Sequence, residues 1–323
     1  MAYLWTPILA LIVGFMALVW SADKFLNGAA STASNLGVSK MLIGLTVVSV
    51  GTSAPEILVA IAASLEGNPL LAVGNAIGSN IANIGLVLGV TAIIAPLEFS
   101  QTVLRAELPW LGGATLLALI LLFDLELGFL DGVILLSGLG VILYLLVRNQ
   151  ANSPTDIADA ITEELEELPQ MTKWQGIGWL LFGLLVLVIS AETLVWAATE
   201  IAVILGVSDM VIGLTIVAVG TSLPELTATV GSAIKGHTDI AIGNVVGSNI
   251  LNILAVLAVP GLLSATTIDP VALWRDGGMM LALTILLALF AYGINSQSVI
   301  TKFEGLVMLS AWTGYNLLVI QQA

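Results

Sequence analysis

Cysteine is absent from this chain of 323 residues, histidine occurs once, and Lys and Arg together number 8. Without cysteine there is no disulfide framework and no thiolate ligand or nucleophile, and the redox compartment leaves no trace. A lone histidine, His237, cannot form the paired-histidine zinc motifs of metallohydrolases. It sits in a short polar stretch and reads as part of a loop. No serine–lysine pair or aspartate dyad supports an intramembrane hydrolase, so neither an enzyme nor a bound cofactor is expected. Eight basic residues are too few for a nucleic-acid surface. Charged residues make up only 9% of the chain and hydrophobic ones 58%, with mean hydropathy +1.07. Soluble globular domains lie outside that range.

What is present instead is a series of long apolar runs. They are too long for barrel strands and suit helices that cross a bilayer. About ten spans are expected: 4–22 with a polar continuation to about 35, then 41–64, 70–94, 104–123, 127–148, 175–203, 210–234, 239–263, 272–292 and 302–320. The first run lacks a basic leader and a clear cleavage site, so it reads as a retained helix.

Shifting the chain by 169 residues exposes a duplication. Leu36–Glu56 then falls on Leu205–Glu225 with 16 of 21 positions identical, and Gly74–Val90 on Gly243–Val259 with 11 of 17 identical. Each unit holds about five spans. An odd number forces the second unit to enter the membrane in the opposite sense. The expected fold is therefore an all-α polytopic membrane protein of about ten transmembrane helices, arranged as two inverted five-helix repeats. Residues 1–148 form the first repeat, 149–173 an acidic linker and 174–323 the second repeat. Such folds place their sites near the midplane, where broken helices of the two halves meet.

The duplicated cores carry costly residues. Gly51-Thr52-Ser53-Ala54-Pro55-Glu56 recurs as Gly220-Thr221-Ser222-Leu223-Pro224-Glu225. A carboxylate at membrane depth costs about 2.5–3.5 kcal/mol on insertion scales. In a helix Thr52, Ser53 and Glu56 share one face, as do Thr221, Ser222 and Glu225. Each proline lacks an N–H and clashes with the carbonyl four residues earlier, which loosens the backbone and frees carbonyl oxygens. Gly74-Asn75-Ala76-Ile77-Gly78-Ser79-Asn80-Ile81-Ala82-Asn83 recurs as Gly243-Asn244-Val245-Val246-Gly247-Ser248-Asn249-Ile250-Leu251-Asn252. Ser79 and Asn83 share a face, as do Ser248 and Asn252. Asn80 and Asn249 read as hydrogen-bonding glue between helices; for Asn75 and Asn244 glue and ligand stay equally open. Two carboxylates, hydroxyls and loosened carbonyls make an all-oxygen cage. A hard cation such as calcium, with six to eight oxygen ligands and tolerance of irregular geometry, fits it.

These paired motifs resemble the α-repeats of the cation/calcium exchanger superfamily, in the compact prokaryotic form of its sodium/calcium exchanger branch. The resemblance covers nearly the whole chain. It implies Glu56 and Glu225 as central Ca2+ ligands, with Thr52 and Thr221 giving backbone carbonyls shared between Ca2+ and Na+. Ser53, Ser222, Ser79 and Ser248 would complete flanking Na+ positions, and Asn83 and Asn252 would bound the middle of the cage. Some relatives, the potassium-dependent branch among them, carry aspartate where Asn252 stands, so potassium cotransport is not expected. The proton-coupled branch tends to carry an acidic residue within the segment matching Gly74–Gly78, which is absent here, so Na+ is favoured over H+ as the coupling ion. A cage neutralised either by one Ca2+ or by several Na+, never both, has the logic of an antiporter. In the family picture the first and sixth helices slide, and Ala29-Ala30-Ser31 and Ala197-Ala198-Thr199 suit such a contact. The alternatives are an H+/Ca2+ exchanger on the same fold and a passive cation channel.

Orientation follows from the basic residues. With the N-terminus outside, Lys40, Arg105, Arg148, Lys173, Lys235 and Lys302 fall inside and only Arg275 near an outer loop, with Lys24 in or beside the first span. Both termini are therefore expected outside and the linker in the cytoplasm of a prokaryotic inner membrane. The expected partners are Ca2+, Na+ and the bilayer. The linker, with Glu163-Glu164-Leu165-Glu166-Glu167, reads as a solvated acidic connector. Asp23 and its repeat mate Glu192 read as headgroup-level charges or as an ion vestibule. Glu107, Asp124, Glu126, Asp131, Asp269, Asp276 and Glu304 read as interfacial. Most tryptophans fall near span ends as anchors, and Trp196 is the interior exception.

Overall fold

The computed structural model describes residues 2–36, 51, 53–101, 103–150, 171–293 and 298–322. Its helices are α1 (Ala2–Asn35), α2 (Ala54–Leu65), α3 (Pro69–Ile94), α4 (Val103–Asp124), α5 (Phe129–Gln150), α6 (Lys173–Leu205), α7 (Asp209–Thr221), α8 (Leu223–Ile234), α9 (Ile240–Leu263), α10 (Pro270–Tyr292) and α11 (Lys302–Gln322). Their limits follow local chemistry. Thr172 and Gln175 form a reciprocal cap at the start of α6, and Gly206 ends it with φ 71°. Ser208 caps α7. The Asp269 carboxylate accepts from the Val271 N–H at 2.7 Å just ahead of α10, whose first residue is Pro270, where a missing N–H is harmless.

Among the described residues, α1, α3, α4, α6, α9, α10 and α11 are each long and apolar enough to cross a membrane. α7 and α8 meet at a 41° bend and add an eighth span if taken as one. The expected ten are thus matched only in part. The first part of expected span 41–64 lies outside the described residues, and the chain beyond Ser53 forms the 12-residue helix α2. The apolar part of α5, Phe129–Leu145, is also short. Most of the 149–173 linker, like Lys40, lies outside the described residues.

α1 and α6 pack antiparallel and very close. A Cβ on Gly28 would meet the backbone N of Leu180 at 2.3 Å, and one on Gly183 the backbone N of Phe25 at 2.6 Å. A Cβ on Gly14 would lie 3.1 Å from the Leu194 side chain. The pairs Gly14–Leu194 and Gly183–Phe25 exchange under the 169-residue shift, the signature of a local two-fold. Two short ladders are related in the same way, one strand at the 169-residue shift (Leu97–Glu98 onto Thr266–Thr267) and the other at 173 (Glu126–Leu127 onto Val299–Ile300). Leu97–Glu98 pairs with Val299–Ile300, and Glu126–Leu127 pairs with Thr266–Thr267. Each ladder joins a loop of one half to a loop of the other.

α3 and α7 run parallel with their backbones nearly touching. A Cβ on Gly74 would lie 2.4 Å from the Met210 carbonyl oxygen, and one on Gly213 2.5 Å from that of Leu71. Glycines here let helices from the two halves approach to backbone distance. α3 and α9 are accordingly the most enclosed spans, and the apolar surfaces of α1, α4, α6 and α11 face outward.

Several outlying residues find their places. Asp276, expected at an interface, is fully buried: it is bound by Arg275 at 2.6 and 3.0 Å and by the Tyr315 hydroxyl at 2.9 Å. The reason is a π-turn at Leu273–Gly277 that directs Asp276 inward against α11. Trp196, the tryptophan set apart from the span ends, lies within α6 and is exposed. Asp23 is exposed, paired with Lys24 at 2.8 Å and bonded by Asn27. Glu192 is exposed on α6 and close to Glu66, just beyond α2, whose carboxyl is pushed up by burial and by the Glu192 charge.

Candidate cation site

Two short helices present the carboxylates. α2 and α8 each begin after a serine whose backbone departs from helical geometry in the same way: φ −88°, ψ 6° at Ser53 and φ −83°, ψ 4° at Ser222. Pro55 and Pro224 follow within the first turn, where the ring is tolerated but the carbonyls of Gly51 and Gly220 lose an i+4 donor. Glu56 and Glu225 complete those first turns, at the positive ends of their helices. The break is thus built by the repeated Ser-x-Pro-Glu sequence itself.

The next helices bring amides and hydroxyls to the same level. α3 supplies Asn75, Ser79, Asn80 and Asn83; α9 supplies Asn244, Ser248, Asn249 and Asn252. In both helices the regular α-helix gives way to a π-turn starting at the last of these asparagines, Asn83–Leu88 and Asn252–Val256. Such turns recur at functional positions because the extra residue redirects side chains.

Glu56 and Glu225 are 0% exposed. Glu56 feels the charge of Glu225 and neighbours the Thr221 hydroxyl, and Glu225 neighbours Ser248. None of their four carboxylate oxygens makes a well-formed hydrogen bond. The hydroxyls of Ser53 and Ser222, the Asn83 carbonyl oxygen and both polar atoms of Asn252 are likewise buried and unpartnered. Buried polar groups are nearly always satisfied, and unpaired buried charge costs several kcal/mol or more. So many oxygens left open in one region is the arrangement expected of a ligand cage. Among the described residues no three His, Cys, Asp or Glu side chains cluster as a metal centre. The cage is therefore two carboxylates among neutral oxygens, the composition that a hard cation accepts.

The remaining polar groups brace the cage. Asn83 Nδ2 donates to Asn249 Oδ1 at 3.0 Å, and Asn249 Nδ2 reaches the Asn80 carbonyl at 3.5 Å. Asn80 Nδ2 donates back to Ala76 O at 2.8 Å. These bonds give Asn80 and Asn249 a bracing geometry. Thr221 donates to Asn75 at 3.1 Å and stands 3.4 Å from Ser79. Thr52 lies outside the described residues. Residues without polar atoms also border the site and left no sequence signal: Phe15 of α1 lies against Gly220 and Leu26 against Gly51.

Comparison with known proteins decides the relationship. Residues 6–148 and 175–321 match the sodium/calcium exchanger protein family. The chain belongs to that family. The two matched blocks leave out residues 149–174. CaxA of Alkalimonas amylolytica, named as an antiporter, is 44% identical over 95% of this chain and 96% of its own length. Sodium/calcium exchanger MaX1 of Methanosarcina acetivorans is 32% identical over 95% of this chain and 96% of its own. A solved structure of the sodium-calcium exchanger NCX_Mj superposes with TM-score 0.66 at 32% identity, covering 99% of each chain. This exchanger-family chain is thus an integral membrane protein of a transporter family.

Proposed function

We propose that the chain is a secondary antiporter that exchanges Ca2+ for Na+ by alternating access. The observation that carries this reading is the meeting of two fully buried carboxylates, Glu56 and Glu225, with no well-formed hydrogen bond to any of their oxygens. Two adjacent negative charges in a low-dielectric region demand a counter-charge, which one Ca2+ or a set of Na+ supplies. Both cations need the same oxygens, so occupancy by one excludes the other. Glu56 and Glu225 hold Ca2+ in this reading, with Thr52 and Thr221 at its side. Ser53, Ser79, Ser222 and Ser248 take flanking Na+, and Asn83 and Asn252 close the middle. An empty, doubly charged cage resists moving across the membrane, which suppresses leak.

The same reading takes the fold as ten spans in two inverted five-helix repeats, with α2 and the residues before it as one span and α5 as another. The reciprocal contacts of α1 with α6 and the exchanged ladders support it. It places both termini outside and the linker in the cytoplasm of a prokaryotic inner membrane, in keeping with Inner membrane protein YrbG of Escherichia coli, 39% identical over 89% of this chain.

The deciding experiment is calcium-45 uptake into sealed proteoliposomes loaded with Na+, against vesicles loaded with choline or given only a pH gradient. Uptake should require the Na+ gradient and vanish in Glu56→Gln and Glu225→Gln. Normal flux in either variant would sink the site. Uptake driven by the pH gradient alone would make the coupling ion H+, and equal uptake in all vesicles would indicate a channel.

A further inference from the structure

Asn75 is fully buried, one helical turn before Ser79 on α3. Its Nδ2 faces the backbone carbonyl of Glu56 at 3.5 Å. Its Oδ1 accepts from Thr221 Oγ1 at 3.1 Å and from Ser79 Oγ at 3.5 Å. The Glu56 carbonyl can only accept, so it holds the amide with nitrogen toward itself and oxygen toward the two hydroxyls. Each hydroxyl has a single proton. Ser79 Oγ and Ala218 O, both at 3.4 Å, and the neighbouring Glu56 carboxylate, with which no well-formed bond is made, compete for the Thr221 proton, and Asn75 at 3.1 Å is the best placed acceptor. With its proton drawn to Asn75, the Thr221 hydroxyl turns its lone pairs away from Asn75, and Ser79, with Asn75 Oδ1 at 3.5 Å, is biased the same way more weakly. For Thr221 that is where the Glu56 carboxylate lies. Without such an acceptor, hydroxyls beside a carboxylate aim their protons into the cage.

We propose that Asn75 is a positioning residue that orients the Thr221 and Ser79 hydroxyls so that their oxygens face the transported cation, and that it governs Na+ more than Ca2+. This rests on the cation site proposed above. Ca2+ centres between the two carboxylates. Balancing the same charge with Na+ takes more than one ion, and mutual repulsion drives those ions to the flanks, where Ser79 stands; Thr221, beside Ca2+ through its carbonyl, sets its hydroxyl 3.4 Å from Ser79 on that flank. The repeat mate Asn244 is only half-buried and donates instead to Thr229 at 3.3 Å. Asn75 has no such option, because the residue matching Thr229 is Ala60.

The test is equilibrium binding of sodium-22 and calcium-45 to the purified full-length protein. Asn75→Leu keeps the size and removes the acceptor, and Asn75→Gln keeps a neutral amide acceptor. Supporting groups of this kind are worth about 10–100-fold in metal affinity. Asn75→Leu should raise the half-saturating Na+ concentration about tenfold or more and that of Ca2+ less than about threefold, with Asn75→Gln closer to the parent. If Asn75→Leu does not fold, Asn75→Ser with and without Thr221→Val takes its place. An indirect role predicts that the two losses in Na+ affinity do not add. Unchanged Na+ binding, equal weakening of both ions, or additive losses would overturn the role of Asn75 while the site stands. Absence of saturable binding in the unmodified protein would overturn the site, and this role with it.

Discussion

The ring of Phe15 rests directly on Gly220, so closely that a Cβ on that glycine would lie 1.9 Å from the ring's Cε1. On the same helix, Leu26 rests on Gly51, where a Cβ would come within 2.5 Å of Cδ1. α1 therefore sets an apolar side chain against the opening glycine of each Gly-Thr-Ser-x-Pro-Glu segment. The eleven-residue step from Phe15 to Leu26 corresponds to about 16 Å of helix. Glycine at positions 51 and 220 is explained by this approach of α1 as much as by the helix break beside it.

Gly220→Ala should accordingly displace α1 from the site. Overpacking of this kind costs about 1–3 kcal/mol, and here the added Cβ would meet three atoms of the Phe15 ring within 2.5 Å, so the ring must shift. We expect a lower melting temperature and a fall in calcium flux of tenfold or more. Phe15→Ala introduced together with Gly220→Ala should restore much of the stability. The control is Gly112→Ala on α4, where an added Cβ meets nothing within 4 Å; that change should be neutral or slightly stabilising. Thermal unfolding of the three variants checks this, and equal losses at Gly112 and Gly220 would refute the close-contact explanation.

The duplication was legible because identity at one fixed shift survives in the segments that hold the cage. The break at Ser53 and Ser222 was legible too, since proline, serine and a membrane-depth carboxylate each act locally. What stayed hidden depends on partners far away in the chain. Gly28, Gly176 and Gly183 sit in apolar runs that say nothing about which helix lies opposite, yet they bring α1 and α6 to backbone distance. Asp276 beside Arg275 looks like a membrane-edge pair; only the inward turn of α10 and the arrival of Tyr315 make it a buried cluster. Asn75 could be read as ligand or brace, because an amide's role is set by the groups on its two ends. Phe15 and Leu26 carry no polar signature at all.

The Asp276 cluster yields a second prediction. Tyr315 donates to Asp276 at 2.9 Å, tying α11 to α10, and Arg275 also reaches Gln322 at 3.2 Å. A hydrogen bond to a charged group is worth about 1.5–3 kcal/mol. Tyr315→Phe should lose stability in that range. Asp276→Leu should lose more, since it leaves the Arg275 charge half-buried without its partner. Neither change touches the cation oxygens. We therefore expect half-saturating Ca2+ and Na+ concentrations within about twofold of the parent. Binding isotherms beside melting curves separate the two effects, and a large shift in ion affinity would show that α10 and α11 report to the site.

The unpartnered carboxylates make a final, opposite-signed prediction. Glu56 and Glu225 are neighbours, fully buried and without a well-formed hydrogen bond to any carboxylate oxygen. They oppose folding and are retained for binding. Glu225→Gln removes one charge at nearly constant volume. The cation-free variant should melt at a higher temperature than the cation-free parent, although its calcium transport is lost. Adding Ca2+ should reverse the order, because the parent gains stability as RT ln(1 + [Ca2+]/Kd) and the variant does not. At one hundred times Kd that gain is about 2.7 kcal/mol. Melting curves of parent and variant, with chelator and with saturating Ca2+, supply the four values needed. A variant that melts lower than the parent in chelator would mean that Glu225 has an internal partner, and that its burial is structural.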